Sequence, residues 1–424
     1  MEPYVDVIGV GADGAAGLRP ALIERIHAAD FLAGGERHLA YFPDARGVCF
    51  VIKDNLSQLI DELSKRYPDK RCVVLASGDP LFFGVGTHLL KVLGQQNVRV
   101  EPTVSSMQIA FARAGIAWQD AALGSIHGRD LRSNLLPVLG ERVIGLFTQD
   151  GDSPAAVAAF FAGYGLESDY EAIVGENLGA ADERLTRWKE LKLLTGQRFE
   201  PLNYLILQRT RHAVRAEEVR RNRARAPGIP DDAFEQPLTG PVLLTHQEVR
   251  SVVLAKLLGA TAPGDTIWDI GAGLGTVSIE IAVLRPHVEV LAVECDPGRI
   301  GFLRRNRERF GAYNIRVVEG AAPEALAHEA DQPLAVFIGG SGDRLPSILD
   351  LVRDRLRGGG RLVANFVTLE NLTAMLQRLG EWGWPHEITE IHVARSDALA
   401  GLTGLKPQRG VFIVRAEKSE TGHE

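Results

Sequence analysis

The chain reads as an α/β protein of two domains, each built from sheet and helix layers with mainly parallel strands. Three observations point there. Short apolar runs alternate with helix-like stretches along both halves, which is the pattern of α/β layers. Glycine-rich loops follow several of those runs. The length of 424 residues also exceeds the roughly 250–300 at which a single core stops growing.

The elements fall in order. In the first half Tyr4–Val10, Arg71–Ala76, Val98–Glu101, Arg142–Thr148, Glu171–Gly175 and Asn203–Gln208 read as short strands, with helices such as Pro20–Ala29 and Ser57–Arg66 between them. In the second half the strands are Thr266–Ile270, Val288–Glu294, Arg316–Glu319, Leu334–Ile338, Arg361–Phe366, Glu387–Val393 and Gly410–Arg415. Helices such as Val277–Leu284, Arg299–Phe310 and Leu345–Arg353 separate them. The organisation changes near residue 209. Arg209, Arg211, Arg215, Arg220, Arg221, Arg223 and Arg225 face only Glu217 and Glu218, and Pro227, Gly228, Pro230, Pro237, Gly240 and Pro241 follow. Proline and glycine at this density break regular structure, so residues 209–239 read as a linker between domains at 1–208 and 240–424. The arginine run is a solvated linker or surface helix, or else a guide for an anionic substrate.

Composition excludes several classes. With 45% hydrophobic and 24% charged residues, the chain is not disordered, collagen-like or disulfide-stapled. A net charge of −7 implies no global pull toward nucleic acid or an anionic membrane. Cys49, Cys72 and Cys295 lie far apart with no ligand spacing, which suits a reduced cytoplasmic protein without a metal site. Val7–Val10 is too short and glycine-rich for an export signal, and the uncharged stretch Ser153–Leu166 falls short of the roughly 18 apolar residues of a membrane span. Homo-oligomerisation is left open.

Two loop systems carry the chemistry. In the second half Thr266–Ile270 runs into Gly271-Ala-Gly-Leu-Gly275, then Thr276 and an apolar helix. Glycines there let the backbone approach a ligand closely. Asp269 precedes the loop, and Glu294 ends the next strand, where its carboxylate can accept both hydroxyls of a ribose. A dinucleotide fingerprint would place its third glycine at Thr276, so the spacing suits S-adenosylmethionine better. Ala321 and Ala322 follow the third strand and Gly339 the fourth, at the strand ends where such sheets bind ligands. In the first half Gly9, Gly11 and Gly14 fit G-x-G-x-x-G, but the helix pattern starts only near Pro20, which argues against a nicotinamide site. Val73–Ala76 ends in a Ser77-Gly78-Asp79-Pro80 turn that leads on to Phe82. Asp79 either meets a ligand or caps the next helix. Ser105 and Ser106 offer hydroxyls after the next strand, and Ser106 equally suits a cap.

Gly240–Arg250, which includes Thr245 and His246, and Ile338–Leu345 resemble the precorrin decarboxylating methyltransferases among the class I methyltransferases, over roughly 238–416. That family usually has Lys where this chain has His246. Gly9–Gly14, Ser77–Gly84, Pro102–Ser106, Glu176–Gly179 and Leu202–Tyr204 resemble the tetrapyrrole methylases, over roughly 4–209, although several relatives have Gly where this chain has Ser77. The resemblance implies a tetrapyrrole methylase-type α/β domain followed by a Rossmann-like class I domain, each with its own S-adenosylmethionine. A chain carrying both in this order is similar to the fused methyltransferases of cobalamin biosynthesis. This implies methylation of C-5 by the first half, and C-15 methylation with C-12 acetate decarboxylation by the second, giving precorrin-8x.

The implied cofactor residues are Gly78, Asp79, Phe82, Ser105 and Ser106 in the first half. In the second they are Thr245, Asp269, Gly271, Gly273, Gly275, Thr276, Glu294, Ala321, Ala322 and Gly339. His127, Arg129 and His246 are the catalytic candidates, with His127 and Arg129 equally readable as a turn with a surface arginine. The substrate's carboxylates suit Arg129, Arg250, Arg344 and Arg395, and by closeness to the loops Arg132 and Arg409. Composition and spacing alone stop at two nucleotide-type α/β domains and methyl transfer. The rivals are an NAD(P)-dependent oxidoreductase, a tetrapyrrole carrier without catalysis, and a nucleic-acid methyltransferase. Against the last, Ile338-Gly-Gly-Ser341 stands where an Asn-Pro-Pro-Tyr-type base clamp would be.

Overall fold

The computed structural model describes residues 4–210, 227–238, 244–399 and 402–420. The run from Arg211 to Arg225 lies outside them. The chain forms two compact units. The first runs to Arg129 and resumes over Val143–Ala159 and Ser168–Gln208; the second takes Asp130–Arg142, Phe160–Glu167 and the chain from Arg209 onward.

The first unit holds two sheets. One joins β1 (Val5–Val10), β2 (Phe31–Gly34), β3 (Val48–Val51), β4 (Cys72–Ser77) and β5 (Val98–Glu101) in the order β3-β2-β4-β1-β5, with every pairing parallel. Alternate β1 residues serve opposite faces. Val5 and Val7 join one buried cluster with Val74, while Ile8 and Val10 join another with Leu75. Covered faces on both sides explain why β1 reads as a continuous apolar run.

The other sheet joins β6 (Ala122–Ser125), β7 (Val143–Phe147), β8 (Tyr170–Glu176), β9 (Arg184–Trp188) and β10 (Asn203–Arg209) in the order β6-β7-β10-β8-β9. Here β6–β7 is parallel, but β7–β10 and β8–β9 are antiparallel. The expectation of mainly parallel strands fails in this sheet. The loop between β8 and β9 is too short for the crossover that a parallel pair needs.

The second unit holds β11 (Thr266–Ile270), β12 (Glu289–Glu294), β13 (Ile315–Glu319), β14 (Ala335–Ile338), β15 (Arg361–Phe366), β16 (His386–Ile391), β17 (Ala394–Leu399), β18 (Leu402–Pro407) and β19 (Val411–Glu417). Its seven-stranded sheet runs β13-β12-β11-β14-β15-β19-β16, parallel through the first five strands, with β19 antiparallel to both neighbours. The β17–β18 hairpin stands apart as a two-stranded sheet. β11, β12 and β14 are buried at every residue. Part of the expected linker is packed: Ile229 and Phe234 enter the core, and the amides of Gly228 and Ile229 donate to Glu280 at 2.8 and 2.9 Å. Strand order reverses between β11 and β14, and the C-terminal ends of strands at such a switch point are where open α/β sheets bind ligands.

Candidate functional site

In the first unit a cavity of about 450 Å³ is lined by residues at the ends of β1, β4 and β5, and by others at the ends of β6, β7, β8 and β10. Gly78, Asp79, Phe82, Ser105, Ser106 and His127 all line it. Gly78 has φ +58°, and a Cβ there would lie 2.8 Å from the Ser105 Cα, so the turn after β4 and the loop after β5 meet closely. The Asp79 carboxylate accepts from the Leu81 amide at 2.9 Å. It builds the turn rather than capping the next helix, Val85–Leu93, whose cap residue is Gly84. Ser105, not Ser106, caps Ser106–Ala114, in a reciprocal box with Gln108. Phe82 packs against Phe83 and Phe147 at 4.8 and 5.6 Å between ring centroids. His127 is exposed at the cavity, whereas Arg129 lies outside its lining with the guanidinium 5.1 Å from the Phe83 ring centroid. Gly14 opens only a short 3-10 turn, Gly14–Gly17, and the helix begins at Pro20, so nothing there forms a helix-led dinucleotide cradle.

Sequence reasoning missed Arg37 and His38, which line the same cavity after β2. His38 is buried, with Nε2 3.1 Å from the Ser77 hydroxyl. Burial, reinforced by the neighbouring Arg37 charge, pushes its imidazole down to about 4, so it is neutral at pH 7. The signal available was Gly34-Gly35-Glu36-Arg37-His38, a glycine pair followed by a cation and an imidazole, but it follows a strand too short to recognise.

In the second unit the ends of β11 to β14 converge. Ile270 pairs with Ile338, and the Gly339 amide donates to the Ile270 carbonyl at 2.9 Å. Gly271 has φ +74°, and a Cβ there would stand 2.3 Å from the Gly340 carbonyl oxygen, so glycine is required. Glu294 is buried and tied down: Oε2 accepts from the Gly273 amide at 2.8 Å, and Oε1 from the Cys295 and Asp296 amides at 2.9 Å. Of about four lone-pair positions on a carboxylate, three are used. The expectation that Glu294 takes both ribose hydroxyls is thereby narrowed to one, through Oε2. Asp269 is fully buried; Oδ2 accepts from the Ser278 hydroxyl, while Oδ1 has no partner among the described residues. Burial pushes this carboxyl up to about 7. Thr276 begins the helix Thr276–Leu284, and Ala322 is buried beside the β13 loop.

The arginines expected to clamp substrate behave differently. Arg250 has no exposed surface. Its guanidinium meets Glu280 at 2.5 Å, Asp231 at 3.1 Å, and the carbonyls of Thr245 and Ile229. It is therefore withdrawn from the substrate set: a fully buried guanidinium with four of its five donors engaged has no surface on which to meet a substrate. Arg395 pairs with Glu248 and Asp231 at 2.6 and 2.9 Å, and Arg344 with Glu324 at 2.7 Å. Arg132 is held by Glu289 and Asp331. His246 is half-exposed, its Nδ1 2.9 Å from Asp231. Although burial raises the Asp231 carboxyl, hydrogen bonds from His246, Arg395 and Arg250 hold it below the usual range. Among the described residues no cluster suits a metal ion, and no helix is long and apolar enough to cross a membrane.

Two family models match the chain: tetrapyrrole (corrin/porphyrin) methylases over residues 5–193, and the precorrin methyltransferase domain over 238–418. A precorrin-6Y C(5,15)-methyltransferase (decarboxylating) from Sinorhizobium sp. is 36% identical over 411 residues, covering 96% of this chain and 94% of that protein. Shorter relatives match less of the chain. A probable cobalt-precorrin-6B C(15)-methyltransferase (decarboxylating) from Pyrobaculum calidifontis is 39% identical, over 45% of this chain and 95% of its own length. A cobalt-precorrin-7 C(5)-methyltransferase from Salmonella typhimurium is 38% identical, over 42% and 87%.

Proposed function

We propose, from the premise that the chain belongs to the precorrin-6Y C(5,15)-methyltransferase (decarboxylating) family, that its two halves divide the work. The chain is an S-adenosylmethionine-dependent bifunctional enzyme that methylates C-5 and C-15 of a precorrin-6 tetrapyrrole and decarboxylates it. This sets aside the oxidoreductase, carrier and nucleic-acid readings. Residues 1–208 take the C-5 methylation. Residues 240–424 take the C-15 methylation and loss of the C-12 acetate carboxylate, with 209–239 connecting them. One S-adenosylmethionine per half, a cytoplasmic setting and no nucleic-acid partner complete the proposal.

The residues present fit that cofactor. The backbone cradle at Gly271, the anchored Glu294 and the unpartnered Asp269 oxygen suit a ligand with ribose hydroxyls and a cationic end. In the first half Gly78, Asp79, Phe82, Ser105 and Ser106 line one cavity. The cofactor supplies a methyl group already activated on sulfur. What remains for the protein is to align the nucleophilic ring carbon and exclude water. Decarboxylation leaves an electron pair that a conjugated ring imine of the substrate can accept, and a general acid then protonates the new carbon centre. His246, oriented through Nδ1 by Asp231, is the proton-handling candidate of the second half, and His127 that of the first. Arg129 in the first half and Arg344 and Arg395 in the second remain the substrate clamps, the latter two by exchanging their present carboxylates for the substrate's.

The observation that carries this division is one chain with a glycine-turn loop system at strand ends in each half, Gly78–Ser106 inside one methyltransferase match and Gly271–Gly339 inside the other. Gly273→Val tests it. Gly273 has φ +59°, where a branched residue is strained, and it lies at the cofactor loop. Given tetrapyrrole and cofactor, the variant should yield a product with one added methyl by mass spectrometry. Two added methyls would overturn the division of labour.

A further inference from the structure

We propose that Arg37, held by His38 and Ser77, forms a carboxylate-binding subsite on the wall of the first unit's cavity. The carboxylate comes from a tetrapyrrole side chain or from the amino-acid end of the cofactor. The inference rests on reading that cavity as a methylation site.

Charge balance in the cavity points to it. Arg37 is the one Arg or Lys among the lining residues, and Asp79 is the one carboxylate. Asp79 commits an oxygen to the Leu81 amide. The neighbouring Glu36 pairs with Lys53 at 2.7 Å. Among the described residues the hydrogen-bond partners of Arg37 are neutral: its terminal nitrogen lies 3.4 Å from the Ser77 hydroxyl and 3.4 Å from the His38 Nε2. Ser77 and His38 are themselves 3.1 Å apart, so three side chains from β4 and the short helix Glu36–Ala40 after β2 form one cluster.

These partners orient the cation without neutralising it. A neutral imidazole with its proton on Nδ1 leaves Nε2 free to accept, and burial of His38 keeps it neutral. Most of the guanidinium's five donors stay uncommitted among the described residues, and the group is only partly exposed. A partly desolvated cation without an anion is unfavourable unless a ligand supplies one. The planar fork matches a carboxylate bidentately. Ser77 directly precedes Gly78, so a ligand against the Gly-Asp-Pro turn lies within reach of the cluster.

The test is Arg37→Gln in the full-length chain, with two measurements. Titration with S-adenosylhomocysteine, in a Gly273→Val background that silences the second site, reads cofactor affinity. The KM for the tetrapyrrole in the C-5 methylation reads substrate affinity. One of the two should weaken about 10- to 100-fold. Weaker S-adenosylhomocysteine binding assigns the carboxylate to the cofactor, and a raised KM alone assigns it to the substrate. Arg37→Lys keeps the charge without the fork and should recover part of the loss, which a folding defect would not predict. Ser77→Ala should raise the affected constant severalfold, less than Arg37→Gln does. If Arg37→Gln leaves both constants at the wild-type values, the subsite is overturned. If Gly273→Val alone binds no S-adenosylhomocysteine, the methylation reading fails and takes the subsite with it.

Discussion

In the first unit Arg37, the one Arg or Lys among the described residues that line the cavity, meets neutral partners, whereas in the second unit Arg250, Arg344 and Arg395 each meet a carboxylate. The buried titratable groups differ in the same direction. The first unit buries a histidine that is thereby kept neutral. The second buries Asp269 with one oxygen unpartnered, next to a glycine cradle. The contrast separates two uses of charge. A paired, fully buried arginine such as Arg250 braces Glu280 and Asp231 beneath a site. A cation held by neutral groups is ready for an anionic ligand.

The largest expected effect that would break this contrast comes from Arg250→Met. Removing one partner of a buried cluster leaves Glu280 and Asp231 uncompensated, which costs about 3–5 kcal/mol. Chemical denaturation should show the second unit's transition destabilised by this amount. Unchanged stability with weakened substrate binding would return Arg250 to the substrate clamp.

A somewhat smaller effect concerns acid stability. Burial holds the folded His38 imidazole down at about 4, against 6.5 for the solvent-exposed imidazole of the unfolded chain. As pH falls through 6.5 the unfolded chain takes a proton that the folded chain refuses, so stability is lost down to about pH 4 and then levels. The shift corresponds to at most about 3 kcal/mol. His38→Asn should flatten that part of the stability profile, and an unaltered profile would mean His38 is not held neutral.

The smallest expected effect is on ligand affinity at Asp269, whose linkage to stability has the opposite sign to that of His38. Its carboxyl is raised to about 7, so its contribution to stability is full below about pH 4, is lost as pH rises toward 7, and is flat above. A cationic ligand end beside it favours the ionised form. Affinity for S-adenosylhomocysteine at the second site should therefore rise about tenfold from pH 5.5 to 7.5, with proton release measurable by calorimetry in two buffers. Asp269→Asn should remove the pH dependence while weakening binding.

Much of this was legible in the chain. β11 and its loop stood out because a strand buried on both faces reads as an unbroken apolar run, and Gly271, Gly273 and Gly275 mark a tight turn at once. β2, β3 and β9 did not. Phe31-Leu-Ala-Gly34 is only four residues long, β3 is mostly exposed, and Arg184-Leu-Thr-Arg-Trp188 alternates charge with bulk at a sheet edge. Missing β2 hid the short helix Glu36–Ala40 that follows it, and with it Arg37 and His38. The fate of Arg250 was also hidden, because Asp231 and Glu280 lie 19 and 30 residues away and Asp231 sits in a stretch that reads as linker. Whether an arginine is spent on structure or kept for a ligand depends on partners that only the fold brings together.

Two independent cofactor sites in one chain are tested most directly by the binding stoichiometry of S-adenosylhomocysteine to the intact protein, measured by isothermal titration calorimetry. Two equivalents per chain are predicted, falling to one in Gly273→Val. A stoichiometry of one for the unaltered chain would contradict the two-site reading.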